Sequence, residues 1–265
     1  MNEHKISFII CWNNEYYLNE CKLYLEELEI PEGYMIEIIE IANAYSMPQG
    51  YNQGMKLSDA KYKVYMHQDV FITNKFFLTE ILNLFQQDKY IGLLGLVGTP
   101  YLYHTGIMWE GVRVGGFYRL EESLNRDKIH RFLPLRVGYM EVEAVDGLLL
   151  ATQYDLPWRS DLFKGWDFYD ISQCFEFRKA GYKVVIPGQS EDWYIHDCGM
   201  LNLSHYNEAC ESFLNAYAAD MKYREEQTQE LYMCNVFECI EKGFHGAEEE
   251  KRYFLNLAKI LFNRQ

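Results

Sequence analysis

The chain holds 265 residues, with 25 Lys and Arg against 39 Asp and Glu, a formal net charge of −14. That acidity excludes a general basic surface for nucleic acid, whose phosphates need clustered Lys and Arg, and it opposes adsorption of the whole molecule onto anionic lipid. Apolar residues at 49% and charged residues at 24% are the balance of a globular protein, one large domain or one domain with an appendage.

In chain order, the first hundred residues alternate between two periods. Residues 5–11 (KISFIIC) are a compact apolar run with β-branched content, the pattern of a strand buried on both faces. Asn13 and Asn14 break it, and residues 16–28 carry apolar side chains at helical spacing until Pro31-Glu-Gly33 stops them. Residues 35–41 read as a second strand. Ser46 opens S-M-P-Q, a capping box with Gln49 at the third helical position and Pro48 in the first turn, so a helix is predicted to about Leu57. Residues 61–67 are strand three, Thr73 is expected to cap a helix over 75–85, and 91–96 is strand four. Strands and helices alternating at this spacing call for right-handed crossovers and a mainly parallel α/β sheet flanked by helices.

From 98 to 147 the pattern turns irregular, with dense Gly and aromatic residues and Arg113, Arg119, Arg126, Arg131 and Arg136 among them. Loops and short mixed strands over a sheet are expected there. Residues 147–152 (GLLLAT) predict a buried strand, 169–180 a helix ending at Gly181, and 182–186 the following strand. Beyond Asn207 the signal is helical, over 207–224, 228–242 and 247–262. The stretch 251–264 is amphipathic, with Tyr253, Phe254, Leu257, Ala258, Leu261 and Phe262 on one face. Packing on the domain or on a second copy is expected for it, and a membrane-surface contact is the alternative. No apolar run nears the ~18 residues of a membrane span, and the N-terminal one is too short for a signal peptide. The seven cysteines show no CxxC and read as reduced thiols. A soluble cytoplasmic protein is expected.

In an open parallel sheet, ligands bind beyond the C-terminal ends of the strands, here 11–15, 42–46, 67–70 and 96–99. None contains GxGxxG or GxxxxGK[ST], so neither Rossmann-type dinucleotide binding nor a Walker-type phosphate loop is supported. The third is distinctive: an apolar strand ends in His67-Gln68-Asp69-Val70-Phe71. A carboxylate at a strand end, beside a His, is positioned to hold a divalent ion or a sugar hydroxyl, and oxygen ligands suit Mg²⁺ and Mn²⁺. From the residues alone, Asp69 serves equally as a turn cap, His196 as a satisfied histidine, and Asp167 or Asp170 as the N-cap of the helix over 169–180.

Tyr51-Asn52-Gln53-Gly54, then Ala60, then KVYMHQDV, resembles a glycosyltransferase-like branch of family two. The opening ISFIICWNNE is similar to that family's first strand and loop. The resemblance continues through Val145-Asp146-Gly147-Leu-Leu-Leu-Ala-Thr152, Gly165-Trp-Asp-Phe-Tyr-Asp170 with Ala180-Gly181-Tyr182-Lys183-Val184, and Trp193-Tyr-Ile-His196. It covers about residues 5–200. It implies a GT-A fold, with a nucleotide-binding half near 1–98, an acceptor half over 99–200, and a C-terminal helical subdomain over 201–265.

The resemblance also implies an enzyme. It would move a sugar from a nucleotide-diphosphate donor to a hydroxyl of a saccharide or glycoconjugate acceptor, with inversion and a Mn²⁺ or Mg²⁺ cofactor, in glycan or cell-surface polysaccharide synthesis. Asp69 matches the last acid of the family's metal-binding Asp-x-Asp motif, and His196 its downstream His. His67 stands where the first acid usually lies, which leaves Mn²⁺ the better suited ion because imidazole is a softer ligand. Asp170 matches the general base, with Asp167 as fallback and Ser172 where a second acid is common. A place at a helix N-terminus predicts a lowered Asp170 pKa. Donor contacts fall to Cys11, Trp12, Asn13, Asn43, Asn52, Asp69 and Asp146, with Trp12 or Tyr45 stacking on a base.

Of the aromatics Tyr101, Tyr103, Trp109, Phe117, Tyr118, Trp158, Trp166 and Trp193, most are expected in the core and one or two on a saccharide. His67, Asn43 and Ser172 favour the alternative, a non-catalytic nucleotide- or glycan-binding module on the same fold. A sugar nucleotidyltransferase is disfavoured, since no Gly-rich loop follows strand one. An acidic chain that binds a diphosphate must supply local positive charge, from the ion or from arginines within 113–136. A homo-oligomer stays open.

Overall fold

The computed structural model describes residues 1–116, 132–197, 203–223 and 228–262. The alternating first half folds as read. Strands β1 (Asn2–Trp12), β2 (Met35–Ala42) and β3 (Ala60–His67) alternate with helices α1 (Glu15–Glu26) and α2 (Met47–Leu57). Asn14 caps α1 by accepting the Tyr16 N–H at 3.0 Å, and Ser46 caps α2 by accepting the Gln49 N–H at 3.4 Å. A short strand β4 (Val70–Ile72), helix α3 (Phe77–Gln87) and strands β5 (Ile91–Gly95) and β6 (Val97–Thr99) follow.

Thr73 does not cap α3. Its hydroxyl donates to Asp192 O at 3.0 Å, and its N–H goes to Trp193 O at 2.8 Å, because the chain there is paired with a strand far downstream. The N-cap of α3 is Phe76, without a side-chain cap.

The irregular middle is a set of short strands: β7 (Arg113–Gly115), β8 (Phe132–Leu133), β9 (Tyr139–Glu141) and β10 (Ala144–Val145). Then come β11 (Leu149–Thr152), α4 (Tyr169–Lys179), β12 (Lys183–Pro187), β13 (Tyr194–His196), α5 (Tyr206–Tyr217), α6 (Gln229–Gly243), β14 (Phe244–His245) and α7 (Glu248–Phe262). The main sheet has eight strands in the order β14-β9-β12-β5-β11-β3-β1-β2. β2, β1 and β3 are mutually parallel and β5 is parallel to β12, whereas β11 runs antiparallel between β3 and β5. A four-stranded sheet, β10-β6-β7-β8, and a two-stranded ribbon, β13-β4, complete the pairing.

β1 is buried on both faces. Phe8 and Ile10 enter a core with Leu18, Cys21, Leu25, Phe77 and Ile81 from α1 and α3. Ile9 and Cys11 enter a second core with Met47 and Tyr51 from α2 and Tyr169 and Phe175 from α4. α2 lies close on β1 because Gly50 and Gly54, one helical turn apart, face it. A Cβ on Gly50 would overlap Cys11 Sγ, and one on Gly54 would overlap Ile9 Cγ2.

The C-terminal helices share that second core through Phe213, Tyr217, Val236, Ile240, Phe254 and Ala258, and β14 pairs with β9 at the sheet edge. The buried residues of α7 are Phe254, Ala258 and Phe262, so its apolar stripe packs on the domain, while Tyr253 is exposed. α5 ends at Tyr217, short of the predicted limit. A 3-10 turn over Ala218–Asp220 follows, and the backbone N–H of Lys222 then donates to the buried Glu143 carboxylate at 2.7 Å, which draws the chain off the helix. Among the described residues, no helix is long and apolar enough to cross a membrane.

Candidate active site

The C-terminal end of β3 carries His67, held in register by its N–H to Leu148 O at 3.0 Å. Gln68 turns away and clamps the loop after β1: its Oε1 accepts the N–H groups of Asn13 and Asn14 at 3.0 and 2.9 Å, and its Nε2 donates to Asn13 Oδ1 at 2.8 Å. Asp69 follows, and the chain enters β4, which pairs antiparallel with β13 so that Val70 faces His196. The Asp197 N–H donates to Asp69 O at 3.0 Å and closes the ribbon.

Three side chains from distant parts of the chain therefore converge. His196 Nε2 lies 3.6 Å and His67 Nδ1 4.0 Å from the same Asp69 oxygen, and the three ligand atoms lie within 4.8 Å of one another. The two imidazoles meet edge to face, with ring centroids 6.0 Å apart. Two imidazoles and one carboxylate fit a divalent cation. The nitrogen content suits Mn²⁺ and its transition-metal neighbours better than Mg²⁺, which favours oxygen ligands.

Burial pushes the His67 pKa down, against the pull of Asp69, so its ring is neutral and able to ligate. For Asp69, burial pushes upward, but the hydrogen bond from His196 and the electrostatic pull of the two histidines outweigh it and hold the carboxyl below its ordinary value. His67 Nε2 lies 2.6 Å from the hydroxyl of Tyr169, a buried residue of the first turn of α4.

Asp170 follows Tyr169. Its two oxygens accept the Gly147 and Ile171 N–H groups, each at 2.8 Å. The expected lowering of its pKa by the helix N-terminus is overturned. Burial, followed by the nearby Asp146 charge, raises it to about 7, and the two backbone hydrogen bonds only moderate the rise. The helix end acts over a short range, whereas removal from water penalises the charge outright. Asp146 itself accepts the Leu148 N–H at 3.0 Å. Asp167 is half-buried, and burial raises its pKa against a lowering by His205.

The remaining expected donor residues scatter. Asn13 is exposed and Trp12 half-buried at the end of β1, and Trp12 Nε1 is a buried donor with no protein partner. Asn43, in the left-handed region at φ 49°, is exposed beside them and donates its N–H to Trp12 O at 2.9 Å. The Cys11 side chain is buried under Gly50, and burial pushes its thiol up to about 12. The Asn52 amide accepts the Trp158 N–H at 2.9 Å and donates to Trp158 O at 2.8 Å, so both ends hold the 153–160 loop.

Of the expected saccharide aromatics, Tyr101, Trp158 and Trp193 are buried in the core, while Trp109 and Trp166 are exposed. Arg113 stacks over Trp109, 5.2 Å from its ring, and Arg136 donates to Gln189 O at 3.3 Å. Phe117, Tyr118, Arg119, Arg126, Arg131 and Arg264 lie outside the described residues. Sequence reasoning missed Gln68 and Tyr169 as parts of the site. Both stand inside the family-like stretches, but their roles depend on partners far away in the chain.

The structure resembles S. aureus TarS (TM-score 0.46, 11% identity, covering 97% of this chain and 87% of that one). It also resembles a mannosyltransferase from Pyrobaculum calidifontis solved with GDP-Man and Mn²⁺ (TM-score 0.47, 10% identity, 100% and 89%). A third likeness is to a mutant of Drosophila β-1,4-galactosyltransferase 7 solved with manganese, UDP-Gal and xylobiose (TM-score 0.43, 14% identity, 86% and 78%). All three scores are below 0.5, too low to carry weight for this chain. A search of curated proteins gave no match. Residues 7–217, by contrast, match the glycosyltransferase-like family as a sequence, a span that includes every side chain of the site above. With that match over most of its length, and the mainly parallel helix-flanked sheet expected of it, the chain belongs to the glycosyltransferase-like family.

Proposed function

We propose that this glycosyltransferase is metal-dependent and inverting, and that it transfers a sugar from a nucleotide-diphosphate donor to a hydroxyl of a saccharide or glycoconjugate acceptor. The observation that carries this reading is the convergence of His67, Asp69 and His196 at the C-terminal end of the sheet. These three residues would hold a divalent ion, Mn²⁺ in preference to Mg²⁺. When bound, that ion supplies positive charge to the departing diphosphate, which an acidic chain needs.

Asp170 takes the proton of the acceptor hydroxyl as that oxygen attacks the anomeric carbon, and the carbon–oxygen bond to the diphosphate breaks. Its raised pKa makes it a stronger base near neutral pH, and the Gly147 N–H keeps one of its oxygens fixed. In this reading Trp12, Asn13 and Asn43 would bear on the nucleoside, and Asp146 would bind a sugar hydroxyl.

A panel of nucleotide sugars, titrated with and without Mn²⁺ and followed for slow donor hydrolysis, tests the reading. Metal-dependent binding with turnover supports it, and the product's anomeric configuration decides inversion. Metal-independent binding without turnover would instead make the chain a binding module.

A further inference from the structure

The side of His67 that faces away from Asp69 carries a hydrogen-bond chain. Tyr169 Oη donates to Gly147 O at 3.1 Å, a carbonyl that can only accept. With the phenol proton on that carbonyl, the 2.6 Å contact between Tyr169 Oη and His67 Nε2 is made by an Nε2–H donating to the phenol oxygen. In a neutral imidazole this leaves the lone pair on Nδ1, the nitrogen that faces Asp69 Oδ1. The chain does not stop at the carbonyl, because the N–H of Gly147 donates to Asp170 Oδ2 at 2.8 Å. One residue, Gly147, thus accepts from the phenol that orients the metal-side histidine and donates to the carboxylate proposed as base. Its Cα leaves no room for a side chain, since a Cβ there would overlap Tyr169 Oη.

We propose that Tyr169 is a positioning residue: it locks His67 in the Nε2–H tautomer, presents Nδ1 to the cation, and thereby makes the site favour a nitrogen-seeking ion such as Mn²⁺ over Mg²⁺. The inference rests on the metal reading of His67, Asp69 and His196, but its tautomer component concerns the metal-free chain. A histidine standing where a carboxylate is usual needs a second partner to fix which nitrogen is free, and outer hydrogen bonds of this kind set both ring orientation and ligand basicity.

The test uses the full chain and two readouts. Long-range ¹H–¹⁵N correlation on the metal-free protein reports the His67 tautomer, and electron paramagnetic resonance of free Mn²⁺ reports affinity, with Mg²⁺ measured by competition. In the wild type, His67 is expected as the Nε2–H form. In Tyr169→Phe, which keeps the buried ring, a mixture of tautomers and a ~10–100-fold loss of Mn²⁺ affinity are expected, with a smaller loss for Mg²⁺. In an H67D background, the same Y169F change should leave Mn²⁺ affinity within about twofold, because a carboxylate has no tautomer to fix.

A wild-type His67 in the Nδ1–H form overturns the proposal whether or not the variant folds. So does an unchanged tautomer in Y169F, or an equal affinity loss in the H67D background, which would make Tyr169 merely structural. If the wild type binds no Mn²⁺ at all, the metal reading falls, while the tautomer comparison still decides what Tyr169 does.

Discussion

At the scale of single residues, the proposed chemistry turns on Asp170 and its neighbour Asp146. Burial, followed by the charge of the nearby Asp146, raises the Asp170 pKa to about 7. Its base form therefore grows as pH rises through about 7, and the transfer rate should climb over the same range and then level off. Asp146→Asn keeps an acceptor for the Leu148 N–H while removing the like charge, so it should move the midpoint of that limb to lower pH in a kcat/KM profile. Asp170→Asn should cut transfer by roughly 10²–10⁴-fold with Mn²⁺ and donor affinity retained, as measured by initial rates beside binding titrations. A retained wild-type rate would sink the base assignment and turn attention to Asp167.

The same shift has a stability consequence. An acid whose folded pKa lies near 7 against an ordinary 3.8 binds its proton more tightly in the native state, so its contribution to stability falls as pH rises from about 4 to about 7. Urea denaturation at pH 5 and pH 8 should show a smaller difference in Asp170→Asn than in the wild type.

At the scale of elements, α2 and the β4–β13 ribbon do most to set the site. In the Tyr51-Asn52-Gln53-Gly54 stretch, Tyr51 is buried in the core, Asn52 holds the 153–160 loop, and Gly54 lets the helix rest on Ile9. Gly54→Ala gains helix propensity but forces a methyl into Ile9, and overpacking of that kind should cost ~1–3 kcal/mol in urea denaturation. The ribbon matters because each strand is only three residues long, and its role is to bring His196 beside Asp69. His196→Ala should lower Mn²⁺ affinity at least ~10-fold while leaving the pairing of β4 with β13, which is made by backbone, intact.

At the scale of the whole molecule, Glu143 ties the C-terminal segment to the sheet. Its buried carboxylate accepts the Leu102 N–H at 2.9 Å and the Lys222 N–H at 2.7 Å, and it pairs with Arg178 at 3.3 Å. Glu143→Ala would leave those donors without their acceptor and should cost ~2–4 kcal/mol, with faster hydrogen exchange around Lys222 as the local signature. The net charge of −14 acts at this scale too. If the proposed diphosphate donor binds, a bound cation would offset that charge; among the described arginines within 113–136, Arg136 donates to the Gln189 carbonyl and Arg113 stacks on the Trp109 ring.

The sequence by itself determined the alternating strands and helices of the first half, the Ser46 cap of α2, and His67 and Asp69 at the end of a buried strand. These are written in local terms: apolar period, capping residues, and a strand's abrupt change from apolar to polar. Only the tertiary structure decided the rest. The pairing of β4 with β13 joins segments too short to show a period, and it is what brings His196 to Asp69. The proton carried by His67 follows from a phenol more than a hundred residues downstream, and the basicity of Asp170 from burial against Asp146, which overrode the helix end that its local position suggested. Metal affinity and pKa depend on distance and exclusion of water, and neither quantity exists until the chain has brought its remote parts together.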